Sequence, residues 1–221
     1  GLVAGAGTTS LAGVVEHWAR PTACIDDAVG LGSTLGDALV SCGAPDGALR
    51  ALLLSLLVVG VLGKSAQVPF QDWLADAMEG PTPASALIHA ATMVAAGTVV
   101  LAGLFPLLAV SPAARWVLGV AASVTMLLAA VLAFAQSDLK RLLAWSTVSQ
   151  VGIMLAALAA APVEEGPDAG LFHLWSHAVF KSLLFLAIGW AALVGGGTAA
   201  RALRGTAAAL PLLRVSFVMG F

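Results

Sequence analysis

The chain has 221 residues, of which 60% are hydrophobic and 10% charged, with a formal net charge of −2 and a mean hydropathy of +0.98. So little charge cannot cover a water-soluble domain of this length, and it provides no basic surface of the kind nucleic acid requires. The apolar runs are too long and too rich in Ala and Leu for the alternation of an outer-membrane barrel, which leaves an all-α polytopic membrane protein.

Each crossing needs about 20 apolar residues to traverse roughly 30 Å of hydrocarbon. By that measure the chain, 1–221, reads as one transmembrane domain. Gly1 to Val15 is too short to cross and is expected to be a truncated helix. A polar extramembrane segment, 16–47, follows and holds both cysteines, Cys24 and Cys42. Two isolated thiols are the plain expectation there, a disulfide being the alternative in an oxidising compartment. Five complete spans are predicted at 48–68, 83–108, 115–136, 142–160 and 171–194, and a further truncated helix begins near Leu210. With no initiator Met and apolar sequence at its end, the chain is expected to be an internal piece of a longer protein. Alternate connections collect Lys140, Arg141, Arg201 and Arg204 on one side, against Arg20, Arg50 and Arg115 on the other. The positive-inside bias then puts the Asp138–Arg141 turn in the cytoplasm.

The first complete span ends in Gly60-Val61-Leu62-Gly63-Lys64-Ser65-Ala66-Gln67-Val68-Pro69. Pro69 has no N–H to give, and its ring clashes with the carbonyl of Ser65, so the helix is expected to break just after Lys64. Broken helices with polar groups at the break build transport sites at membrane depth. A lysine snorkelling to the interface is the other reading, and the short amphipathic run Phe70–Glu79 keeps it open. His173, His177 and Lys181 recur at i, i+4 and i+8 on one helix face. Stacked over about 12 Å of a membrane helix, they form a stripe that lipid would reject. A proton relay suits histidine. Zinc on His173 and His177 and haem held by His89 with His173 or His177 are the alternatives. Asp138, Lys140 and Arg141 read as topology determinants at a turn. Ser146, Thr147, Ser149 and Gln150 either line a hydrated path or hydrogen-bond between helices.

The run from Gly63-Lys64-Ser65-Ala66-Gln67-Val68-Pro69 through Asp76-Ala77-Met78-Glu79-Gly80-Pro81-Thr82-Pro83 to Ser85-Ala86-Leu87-Ile88-His89-Ala90-Ala91-Thr92-Met93-Val94 closely resembles one family. So do Ser137-Asp138-Leu139-Lys140-Arg141 with the residues up to Gly152, and Phe172-His173-Leu174-Trp175-Ser176-His177-Ala178-Val179-Phe180-Lys181. The family is the largest antiporter-like subunit, subunit L, of the proton-pumping NADH:quinone oxidoreductase, respiratory complex I. The resemblance covers about residues 50 to 195; residues 1–49 match weakly.

The resemblance implies a bundle of two inverted five-helix repeats, each with one discontinuous helix, here represented in part and with the first break after Lys64. It implies that Lys64 stands at the central channel lysine. It also implies that His89, His173, His177 and Lys181 pass protons between half-channels. The glutamate that partners this lysine would lie upstream of Gly1 and the exit lysine beyond Phe221. The partners implied are other membrane subunits, the lipid bilayer, protons and channel water, in a bacterial cytoplasmic membrane. The chain has no GxGxxG after a strand and no cysteine cluster. No cofactor is therefore expected in it, and NADH, FMN, iron–sulfur clusters and quinone would belong to partner subunits. A multi-subunit Na+/H+ antiporter and a membrane-bound hydrogenase share the pattern. A b-type cytochrome with bis-histidine haem is the rival of a different class, and a helical scaffold the plainest one.

Overall fold

The structure, a computed structural model, describes residues 10, 12–13, 47–90, 92–109, 111–162, 167–203 and 211–220. The polar segment 16–46, with Cys24 and Cys42, lies outside these, as do Glu164, Glu165 and Arg204. The described residues form α1 (Gly47–Lys64), α2 (Asp72–Asp76), a 3-10 turn (Ala77–Glu79), α3 (Thr82–Ala90), α4 (Ala96–Gly103), α5 (Phe105–Ala109), α6 (Pro112–Phe134), α7 (Leu139–Ala160), α8 (Asp168–Gly195) and α9 (Pro211–Gly220). Three of them, α6, α7 and α8, are long and apolar enough to cross a membrane, and Ala51–Lys64 is a shorter apolar helix.

Local chemistry sets the ends of the long helices. Ser111 opens α6 with its side chain accepting from the Ala114 N–H at 3.3 Å, and Pro112 occupies the first turn, where its missing N–H costs nothing. Asp138 caps α7, accepting from the N–H groups of Lys140 and Arg141 at 2.9 and 3.1 Å. The far end of α7 is closed by Arg115 of α6, which donates to the carbonyls of Ala159 (2.9 Å) and Ala161 (2.6 Å). Gly196 stops α8 with φ of 78°, a left-handed conformation that glycine adopts without a Cβ penalty.

The helix does break after Lys64, and several of the backbone groups released there find partners. Pro69 cannot bond the Ser65 carbonyl, so the amide of Gln67 donates to it instead, at 2.9 Å. Ala66 turns through φ of 52°, sending the Gln67 N–H to Leu62 at 2.8 Å. The Gly63 carbonyl is taken by the Trp73 indole N–H at 3.2 Å. Three neighbours pin the break. Ser65 Oγ donates to the Val94 carbonyl (3.0 Å), Gln67 Nε2 also reaches the Val148 carbonyl (3.3 Å), and the Val68 N–H donates to Thr125 Oγ1 (3.0 Å). Ser65, Ala66 and Gln67 are fully buried. After the break, Leu74 and Met78 face inward while Asp72, Asp76 and Glu79 face out, as the amphipathic run predicts.

The segment 83–108, expected as one span, is three helices. Pro106 lacks an N–H and opposes the carbonyl of Ala102, which separates α4 from α5. Between α3 and α4 the chain turns at Thr92–Ala95, where Thr92 Oγ1 bonds the Leu87 carbonyl at 2.8 Å and Val94 receives Ser65. The main apolar core joins α1, α4, α5, α6 and α7 around Val58, Leu101, Leu118, Val151 and Leu155, all buried. A second cluster joins α3, α7 and α8 around Ala86, Leu143, Phe185 and Ile188.

Candidate functional site

α8 carries one residue per turn on a single stripe: His173, His177, Lys181, Phe185 and Gly189. Each meets a different partner. His173 Nε2 lies 2.7 Å from Gln150 Oε1 of α7. His177 packs edge-on against Phe180, ring centroids 5.2 Å apart. Lys181 Nζ donates to Ser146 Oγ of α7 at 2.5 Å. Phe185 lies against the His89 ring of α3, at 5.1 Å between centroids. At Gly189 the helices α3 and α8 approach so closely that a Cβ there would stand 2.8 Å from Thr82 Cγ2.

This arrangement puts three ionisable side chains out of reach of solvent: His89 is 0% exposed, His177 1% and Lys181 2%. Buried polar groups are normally hydrogen-bonded. Yet neither ring nitrogen of His89 has a hydrogen-bond partner among the described residues, and the His177 ring meets no side-chain partner, with the Ala90 backbone of α3 as its polar neighbour. Such groups are costly to bury for packing alone. His173 is partly buried, its ring centroid 6.5 Å from that of His177. A cavity of about 560 Å³, lined in part by Ser146, Ser149, Gln150, Phe180 and Met219, opens onto Lys181 from between α6, α7, α8 and α9.

Of the five site residues expected from sequence, the structure brings together His89, His173, His177 and Lys181. Lys64 stands apart. It is the last residue of α1, its side chain is exposed, and no described side chain pairs with it. The helix-end carbonyls around it favour a cation there. Gln150 and Ser146, read from sequence only as polar groups in a span, are the immediate partners of His173 and Lys181. Ser146 and Gln150 are four apart, one turn of α7, whereas their partners Lys181 and His173 are eight apart on α8, so no shared period in the sequence announced the pairing. Among the described residues, no three His, Cys, Asp or Glu side chains cluster as metal ligands would.

The family described as NADH:quinone oxidoreductase/Mrp antiporter, TM, matches residues 33–221. The chain is 52% identical over 134 residues to NADH-quinone oxidoreductase subunit L of Escherichia coli K12, covering 61% of this chain and 21% of that protein. It is 51% identical over 146 residues to subunit L of Pseudomonas aeruginosa, covering 66% and 23%. It thus spans about a fifth of the length of these curated relatives. Among solved structures, a chain of the Mrp complex from Dietzia sp. superposes with a TM-score of 0.66 at 37% identity, over 83% of this chain and 20% of that one. A chain of the membrane-bound sulfane sulfur reductase, an archaeal respiratory membrane complex, superposes with a TM-score of 0.74 at 25% identity, over 99% and 40%. With its broken helix, its buried stripe and a family match across most of its length, this multi-pass membrane chain belongs to the NADH:quinone oxidoreductase/Mrp antiporter transmembrane family.

Proposed function

We propose that this chain is part of the non-redox, antiporter-like subunit L of an NADH:quinone oxidoreductase, and that it translocates protons across a bacterial cytoplasmic membrane. The observation that carries the reading is the buried set of His89, His177 and Lys181, with imidazole nitrogens that find no side-chain partner next to an ammonium held by Ser146. Imidazole takes up and releases protons near neutral pH. The ring nitrogens of His89 and His177 are the atoms at which a proton is received and passed on, and Lys181 Nζ is the next carrier along the stripe. Gln150 orients His173 at the start of the line, and Ser146 orients Lys181 at its end. Lys64 at the break is the entry carrier, its side chain exposed at the end of α1. Moving each charge against 100 mV requires about 2.3 kcal/mol. That energy comes from redox chemistry in partner subunits, where NADH, flavin, iron–sulfur clusters and quinone belong. The partners of this chain are other membrane subunits of the same complex.

The test is proton pumping by the intact complex carrying His177→Ala or Lys64→Ala, with NADH oxidation by an artificial acceptor as the assembly control. Pumping and quinone-linked turnover are expected to fall while the control holds. Unchanged pumping in both variants would leave the histidines and lysines as packing groups and sink the reading. The likeness to the Mrp complex supports a second reading, Na+/H+ exchange without NADH. Sodium-driven proton movement in vesicles lacking NADH would select it.

A further inference from the structure

Lys140 sits in Asp138-Leu139-Lys140-Arg141, a run that reads in sequence as an ordinary charged turn, yet its side chain is buried, 7% exposed. Its ammonium donates to the carbonyls of Met78 (2.8 Å) and Gly80 (2.7 Å), some sixty residues away along the chain. Those carbonyls end the 3-10 turn Ala77–Glu79, just where the chain passes through Pro81 into α3. Carbonyls at the end of a helical turn have no donor within it and carry partial negative charge, so a buried cation satisfies both needs. The adjacent Arg141–Glu79 pair, at 3.4 Å, is exposed on both sides and adds little. On its other flank the same turn is tied to the connection after α8. Asp138 accepts from Thr198 Oγ1, the Leu139 N–H donates to the Thr198 carbonyl, and the Ala200 N–H donates to the Ser137 carbonyl, both at 3.0 Å.

We propose that Lys140 is a positioning residue for proton transfer: by holding the Met78 and Gly80 carbonyls it fixes the start of α3, and with it the place of His89 against Phe185, His177 and Lys181. The proposal rests on the relay reading given above. α3 is a nine-residue helix, Thr82–Ala90, with His89 two turns beyond Thr82. A short helix moves as one body, so a shift at its first turn reaches the imidazole. Gly189 holds α3 against α8 from the side, through Thr82, and Lys140 holds it along its length. No hydrogen bond joins Lys140 to the relay side chains, though its charge is felt at His89; the positioning influence runs through the backbone of α3, and Lys140→Arg, which keeps the charge, holds the electrostatic part constant.

The test uses the full-length protein in its native complex, with Lys140→Arg, Lys140→Gln, Lys140→Met and, as a reference, His177→Ala. Three quantities are read: protons moved per NADH, NADH oxidation by an artificial acceptor as a measure of assembly, and the distance between spin labels on Ala84→Cys and Leu193→Cys. Lys140→Met removes both charge-assisted hydrogen bonds and is expected to lower protons per NADH toward the value of His177→Ala. Gln should lose less and Arg, which keeps charge and donors, should recover most of the loss, with the label distance broadening in the same order. An unchanged ratio in an assembled Met variant overturns the proposal. Where Met does not assemble, Arg and Gln decide, and a Gln variant that pumps as well as Arg overturns it. Failure of every variant to assemble, Arg included, makes Lys140 a folding residue and also overturns it. Loss of pumping in His177→Ala with normal Lys140→Met defeats the positioning role alone. Normal pumping in His177→Ala removes the relay reading and this role with it.

Discussion

Gly189→Ala is expected to push α3 away from α8. The added Cβ would stand 2.8 Å from Thr82 Cγ2 and 3.1 Å from Thr82 Cβ, whereas carbon atoms rest at about 3.5–4.0 Å. The contact must therefore open by roughly 0.7–1.2 Å. Threonine has few rotamers to retreat into, so the helices must yield. Overpacking of a fitted contact costs about 1–3 kcal/mol. One turn from Gly189, the His89 and Phe185 rings lie 5.1 Å apart, so the same opening loosens the contact on which the proposed proton path depends. The assay is thermal inactivation of the intact detergent-solubilised complex, with proton pumping measured below the transition. Thr82→Ser removes Cγ2, and in the double variant it should recover half or more of the loss, because the 2.8 Å clash is gone and the 3.1 Å contact to Cβ is the tightest that remains. The interaction energy of such a touching pair is about 0.5–3 kcal/mol. A Gly189→Ala complex as stable as the wild type, or a Thr82→Ser change that adds to the loss, would refute the close approach.

Gln150→Leu takes the amide away from His173, and pumping should fall up to about tenfold, the worth of one hydrogen bond, with the NADH–acceptor rate unchanged. Lys181→Met keeps the volume of a fully buried side chain and removes its charge; pumping should be lost while the complex assembles, as read by native gel and acceptor reduction. Arg115→Ala strips two donors from the carbonyls that end α7 and should lower stability by about 1–3 kcal/mol, seen in thermal inactivation. Gln67→Leu leaves the Ser65 carbonyl, already deprived by Pro69, without a donor. It should cost a similar amount, whereas Gln67→Ala in an unbroken helix would cost little.

The break after Lys64 was legible because its cause is local: a proline four residues beyond Ser65, with glycines before it, forbids the helix wherever it lies. The α8 stripe was legible for the same reason, since a period of four places His173, His177 and Lys181 on one face whatever surrounds them. What each of these side chains meets was not legible. Hydropathy places Gln150 and Ser146 in a span but carries no information about which neighbouring helix lies across from them. Lys140 was misleading, because a charged turn looks like surface and the carbonyls that bury it lie in another part of the chain. The segment 83–108 looked continuous because only Pro106 marks a break by composition. The turn at Thr92–Ala95 exists where Ser65 of a different helix draws the Val94 carbonyl.

The stripe on α8 serves packing and chemistry by the same spacing. Below Lys181 it becomes apolar: Phe185 takes the face of His89, and Gly189 lets α3 come close enough for that contact. Above Lys181 it becomes polar, and His177 and His173 run toward Gln150. The position of His89 is therefore set by apolar residues on the helix whose polar residues it serves. A change at Phe185 or Gly189 should act on proton transfer even though neither side chain carries a proton. The tight sterics also have a consequence for dynamics. With the α3–α8 contact closed to any added atom, the two helices can come no closer, and carriers are drawn together by rotation of the rings or by movement at the break. The break is the place where the chain offers such freedom. Its backbone is held partly by N–H groups that reach back to Val61, Leu62 and Gly63 and partly by the side chains of Gln67, Trp73 and Thr125, and side-chain bonds can exchange one at a time.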